Sequence, residues 1–176
     1  MSLASLVQWL LCLALILDFE KPVRQPIPRS QNVANVIATA ANETNSPKEF
    51  AAYLDVLGAH ESGYDTSAVG DHTGGIGRSC GAWQTPCAET PGFTSSECSW
   101  AEESPTPGCH WGWKFHPSPT IALQQARKAI QILKRAVDGC PDHPIWMYAS
   151  GLCTRTKTAT LYEDEVNAEL AIPVVQ

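Results

Sequence analysis

The sequence predicts a mainly α-helical fold, and three observations predict it. Segments 46–62 and 118–139 each open on a serine and a proline, then carry apolar residues at three- and four-residue steps. Shorter stretches with the same periodicity flank them. Between them, residues 70–116 keep neither a helical nor a strand pattern, yet hold eight of the twelve glycines and four of the seven cysteines. An irregular stretch of that length in a folded domain is usually functional or cross-linked.

In chain order, residues 1–17 carry no charged side chain and are largely apolar from Leu3 to Leu17. That length suits a signal or anchor segment better than a span of about twenty residues. No Lys or Arg precedes it, no small-x-small cleavage site follows, and Lys21, Arg24 and Arg29 lie after it. A cleaved signal, a membrane tether through residues 3–17 and a buried N-terminal helix all stay open. Residues 18–30, with Pro22, Pro26 and Pro28 among charges, form a linker, and the domain proper is expected over 31–172.

Helix is expected over 31–41, with Val33, Val36, Ile37 and Ala40 on one face. Asn42-Glu43-Thr44 after it is a glycosylation sequon, meaningful only in a eukaryotic secretory pathway. In 46–62, Ser46 is the N-cap, Pro47 the first helical residue, and Glu49 completes a capping box. Phe50, Tyr53, Leu54 and Leu57 form the stripe, Glu61 continues it, and Gly63 ends the helix. The next helix carries Leu123, Ala126, Ile130, Leu133 and Val137 and stops at Gly139. A short one follows Pro144 with Ile145, Trp146 and Tyr148, and a last one covers 161–171 with Tyr162, Val166 and Leu170.

Composition narrows the function. A chain of 176 residues with 44% hydrophobic content can bury one core. A net charge of −6 and no basic block argue against nucleic acid. Six cysteines follow the apolar segment (Cys80, Cys87, Cys98, Cys109, Cys140 and Cys153), none in a CxxC pair. They predict up to three disulfides and a secreted, periplasmic or envelope-associated protein, with the pairing left open. Zinc is the competing reading, through Cys109, His110, His72 and His116. Zinc ligands come in closely spaced pairs, which are missing here, so neither metal nor cofactor is expected. Trp83, Trp100, Trp111 and Trp113 either stack on sugars or cover a small core.

Glu61 is the candidate for the chemistry, and two readings of it stay open: it continues the buried stripe, or it has left the helix and sits solvated in a turn. A carboxylic acid on a buried face holds its proton longer than in water, which suits protonation of a leaving group near neutral pH. Glu61-Ser62-Gly63-Tyr64-Asp65, then Ala68-Val69-Gly70-Asp71, then Gly81-Ala82-Trp83-Gln84 resembles the soluble lytic transglycosylases of the lysozyme-like superfamily. Tyr148-Ala149-Ser150-Gly151 resembles that family's late Tyr-Asn-x-Gly element. The resemblance covers roughly residues 46–152 and implies a lysozyme-like domain; the long, disulfide-stapled, Gly/Trp-rich loop region over 71–117 departs from it, being longer and richer in cysteine than the family's turn-rich region.

It also implies peptidoglycan strands as the partner and Glu61 as the acid that cleaves between N-acetylmuramic acid and N-acetylglucosamine. As a carboxylate, Glu61 would then take the muramoyl 6-hydroxyl proton, leaving a 1,6-anhydro sugar. Ser62, Gln84 and Tyr148 would contact substrate or acid. Ala149 stands where the family has asparagine. A hydrolytic muramidase or chitinase-like enzyme using Asp71 or Asp65 as a second carboxylate is one alternative. A non-catalytic module that binds glycan or protein is another.

Overall fold

A computed structural model describes residues 1–17, 31–66, 68, 70, 79–92 and 119–174. The described residues are mainly helical. They form α1 (Leu3–Leu17), α2 (Gln31–Ala41), α3 (Pro47–Glu61), α4 (Pro119–Gly139), α5 (Pro144–Ser150) and α6 (Lys157–Ala171). One small antiparallel hairpin joins β1 (Ser79–Cys80) to β2 (Thr85–Pro86), pairing Ser79 with Pro86 and Cys80 with Thr85. The chain divides into two units: Met1–Leu57 with Ile130–Gln176, and Gly58–Ala129.

The first unit is built by helix packing. α1 packs on α2 and α5 on α6. The expected α3 stripe is buried, with Leu54 and Leu57 fully so and Phe50 and Tyr53 nearly so. Each such leucine contributes about 2 kcal/mol by the apolar area it removes from water. On α2 the buried set is Ala34, Ile37, Ala38, Ala40 and Ala41, while Val33 and Val36 are only half-buried. Alanines let neighbouring backbones come close, so the buried face centres on them and Ile37 and turns away from Val33 and Val36. α6 starts four residues before the expected 161, because Thr156 caps it by accepting the Ala159 N–H at 3.0 Å.

α1 belongs to this core. Leu6, Trp9, Leu10 and Leu13 are buried, and the Trp9 indole donates to the Ile172 carbonyl at 3.0 Å. Lys48 donates to the Leu170 carbonyl at 2.7 Å and lies 5.3 Å from the Trp9 ring centroid. One side chain thus caps the end of α6 and rests on α1. The fifteen residues of α1 span about 22 Å, short of a hydrocarbon core of about 30 Å. No helix among the described residues is long and apolar enough to cross a membrane.

Two disulfides lie among the described residues. Cys80–Cys87 closes the hairpin, and Cys140–Cys153 brackets α5. Such bonds persist in oxidising compartments. Cys98, Cys109, the linker 18–30, Trp100, Trp111, Trp113, His72, His110 and His116 lie outside the described residues.

Candidate active site

The three sequence blocks around Glu61 converge in the second unit. Glu61 is the last residue of α3 and is half-buried. Beyond it the chain reverses through two left-handed residues, Gly63 (φ 67°) and Tyr64 (φ 64°). The Gly63 N–H donates to Ala59 O and the Tyr64 N–H to Gly58 O, which satisfies carbonyls that a helix end leaves open. The positive φ at Tyr64 is strained for a side chain, and packing compensates it. A Cβ at Gly58 would lie 2.6 Å from the Tyr64 ring and 3.1 Å from Trp83 Nε1. Glycine at 58 is what lets both aromatics close on the helix. Trp83, at 3% exposure, is therefore a core residue, not a sugar platform.

The Gly81–Gln84 turn connects the hairpin strands. Gly81 (φ 77°) and Gln84 (φ 47°) both take left-handed conformations. Gln84 folds over its own turn, its side-chain amide donating to Gly81 O at 2.9 Å. Residues 68 and 70 run beside β1, with Gly81 N–H bonded to Ala68 O at 2.7 Å and Gly70 N–H to Ser79 O at 2.8 Å. A Cβ at Gly70 would fall 2.0 Å from Gln84 Oε1. The glycine of Ala68-Val69-Gly70 is thus the seat of the glutamine in Gly81-Ala82-Trp83-Gln84. Two motifs separated in sequence become one surface.

Ser62 joins this surface to the helix end. Its hydroxyl donates to Ala82 O at 2.8 Å and accepts from the Asp65 N–H at 2.9 Å. In this structure its hydrogen bonds tie the turn to the end of α3. Asp65 is half-buried in the loop after Glu61. Asp71 lies outside the described residues. Tyr148 and Ala149 are half-buried on α5, in the first unit.

Sequence reasoning missed Gln125, buried at 1% exposure among the apolar residues of α4. Its Oε1 accepts from Ala82 N–H at 3.1 Å, and its Nε2 donates to Thr66 O and Pro91 O, both at 2.9 Å. A glutamine inside a helical stripe reads as a solvated position by hydropathy. The one available signal was its step of four before Ala129 on the buried face. Thr90 closes the far side of the hairpin, sharing a hydrogen bond with the Thr85 hydroxyl and donating to Pro86 O at 2.8 Å.

A second polar cluster lies in the first unit. The Glu163 carboxylate meets His143 Nδ1 at 2.7 Å through one oxygen and accepts from the Trp146 indole at 3.0 Å through the other. The His143 and Trp146 rings stack 3.8 Å apart. Tyr53 donates to Glu49 at 2.8 Å. Burial above all, then the Glu49 hydrogen bond and the Glu49 and Glu163 charges, holds its phenol far above the ordinary range.

Comparison of the chain with protein-family models, with curated proteins and with solved structures returned no match.

Proposed function

We propose that the chain is a lytic transglycosylase with a lysozyme-like site, acting on peptidoglycan strands in the cell envelope or outside the cell, with Glu61 as acid and then base. One observation carries the reading. Glu61 is half-buried at the end of α3, its chain neighbour Ser62 bonds to the turn that carries Gln84, and Gln84 is seated on Gly70. Residues of three motifs separated in sequence are thus joined by hydrogen bonds and close packing, which is the support a glycan-cleaving site would need. Glu61 would protonate the glycosidic oxygen as the bond to the leaving sugar breaks. The substrate's own acetamido group would stabilise the anomeric centre, so that a single carboxyl group suffices, where ordinary glycosidases use two. Glu61, now ionised, would accept the 6-hydroxyl proton as that oxygen closes on the anomeric carbon. Gln84, whose amide here folds onto Gly81 O, would be the side chain to hold a sugar from that turn.

Mass spectrometry of muropeptides after incubation with the purified chain tests this. Wild-type protein is expected to release products one water lighter than hydrolysed ends. Glu61→Gln keeps the shape but removes the proton, and a loss of about 100-fold or more is expected. Free reducing ends would replace this chemistry with hydrolysis. Glycan binding without any cleavage by the wild type would make the chain a binding module.

A further inference from the structure

Ala82 is held at both of its backbone polar groups. Gln125 receives its N–H, and Ser62, the neighbour of Glu61 in the chain, donates to its carbonyl. The same glutamine holds Thr66, in the loop that leaves Glu61, and Pro91, at the corner after the hairpin. It meets these three loop segments from a helix, and both polar atoms of its side chain are used. A Cβ at Gly81 would lie 2.6 Å from Gln125 Oε1, so the turn is drawn against the glutamine as closely as its backbone permits.

We propose that Gln125 is a positioning residue for the Glu61 site. It sets where the Gly81–Gln84 turn lies against the end of α3, and through Ala82 and Ser62 it fixes the geometry in which Glu61 and Gln84 address one substrate. The inference rests on the reading of Glu61 as the acid. A displacement of about 1 Å far from the chemistry can cost about 100-fold in rate, so the effect should appear in turnover more than in binding.

The test uses the full chain on purified peptidoglycan, with kcat and KM separated and each variant assayed below its melting temperature. Gln125→Leu removes all three hydrogen bonds at similar volume. It is expected to lower kcat by about 100-fold with KM little changed, and to speed hydrogen exchange at the Ala82 amide. Gln125→Glu has the same shape. Protonated, it accepts from Ala82 and donates to one of the two carbonyls. Ionised, it turns a negative charge toward both. Its activity should therefore fall as pH rises through the titration of that carboxyl, in addition to the limb that Glu61 as general acid sets in the wild type, so that the two profiles differ in shape. If Gln125→Leu does not fold, the Gln125→Glu profile decides alone. A folded Gln125→Leu protein with wild-type kcat, or Gln125→Glu with the wild-type pH profile, overturns the proposal while leaving Glu61 in its role. Wild-type protein that releases no anhydro product overturns both.

Discussion

The two units of this chain are held together by different physics. In the first, aliphatic and small side chains on α1, α2, α3 and α6 are removed from water along helical stripes, and polar contacts such as Lys48 to Leu170 O sit at the ends. Among its described residues the second buries aromatic and small side chains, Tyr64, Trp83, Ala82, Ala126 and Ala129, and no large aliphatic one. Its loops are stitched by Gln125, Ser62 and Thr90, spaced by Gly58, Gly70 and Gly81, and closed by Cys80–Cys87. Where packing dominates, stability follows volume. Where buried hydrogen bonds dominate, each bond is modest in net terms, but an unmade one costs about 1–3 kcal/mol. The candidate site lies in the second kind of structure, which holds a few atoms in place with little core behind them.

That contrast can be broken from either side. Leu10→Ala in the first unit should cost about 2–5 kcal/mol in urea unfolding, since Leu10 is fully buried on α1. An unchanged midpoint would mean that α1 is not part of the working core. Gly81→Ala adds a single methyl in the second unit. It forces a side chain to φ 77° and into contact with Gln125, for about 1–3 kcal/mol. Hydrogen exchange should place the damage at Gly81, Ala82 and Gln84 and spare α1 and α2. A uniform loss of protection would dissolve the distinction between the units.

The smallest effect concerns pH. The Tyr53 phenol titrates higher in the folded chain than its unfolded value of about 10. Its stabilising contribution is therefore complete below pH about 10 and lost as pH rises above it, because the unfolded phenol gives up its proton first. Tyr53→Phe should flatten that part of the stability curve in alkaline unfolding titrations. An unaltered slope would remove Tyr53 from the account.

The same contrast governs what the sequence made legible. Phe50, Tyr53, Leu54 and Leu57 announced α3 as a helix, but not the extent of its burial, since every residue from Phe50 to Gly58 is covered, Asp55 included. Small residues blurred that signal. On α2 the buried face follows Ala34, Ala38 and Ala41, and on α4 it follows Ala126, Ala129 and Ala136. Leu123 and Val137 end up half-buried. The hairpin strands are two residues each, too short for any alternation to register. Gln125 was hidden for the opposite reason, since hydropathy assigns a glutamine to water regardless of what it can bond. Glu61, Ser62 and Gln84 were found as motif residues. That Ser62 links the turn to the helix, and that Gly70 seats Gln84, are long-range pairings no local pattern encodes.

The order of the chain has a consequence for how the molecule is made. The first unit is discontinuous: roughly seventy residues, the whole of the second unit, separate Leu57 from Ile130. Closing a loop of that length is entropically slow compared with forming the local contacts inside it. During synthesis, α1, α2 and the start of α3 emerge first but must wait for the end of α4, α5 and α6. The loop-built segment with Glu61 is complete before the helices around Leu57 and Ile130 can close. The unit with the plainest sequence signature is thus expected to assemble last, which pulsed hydrogen exchange during refolding would check.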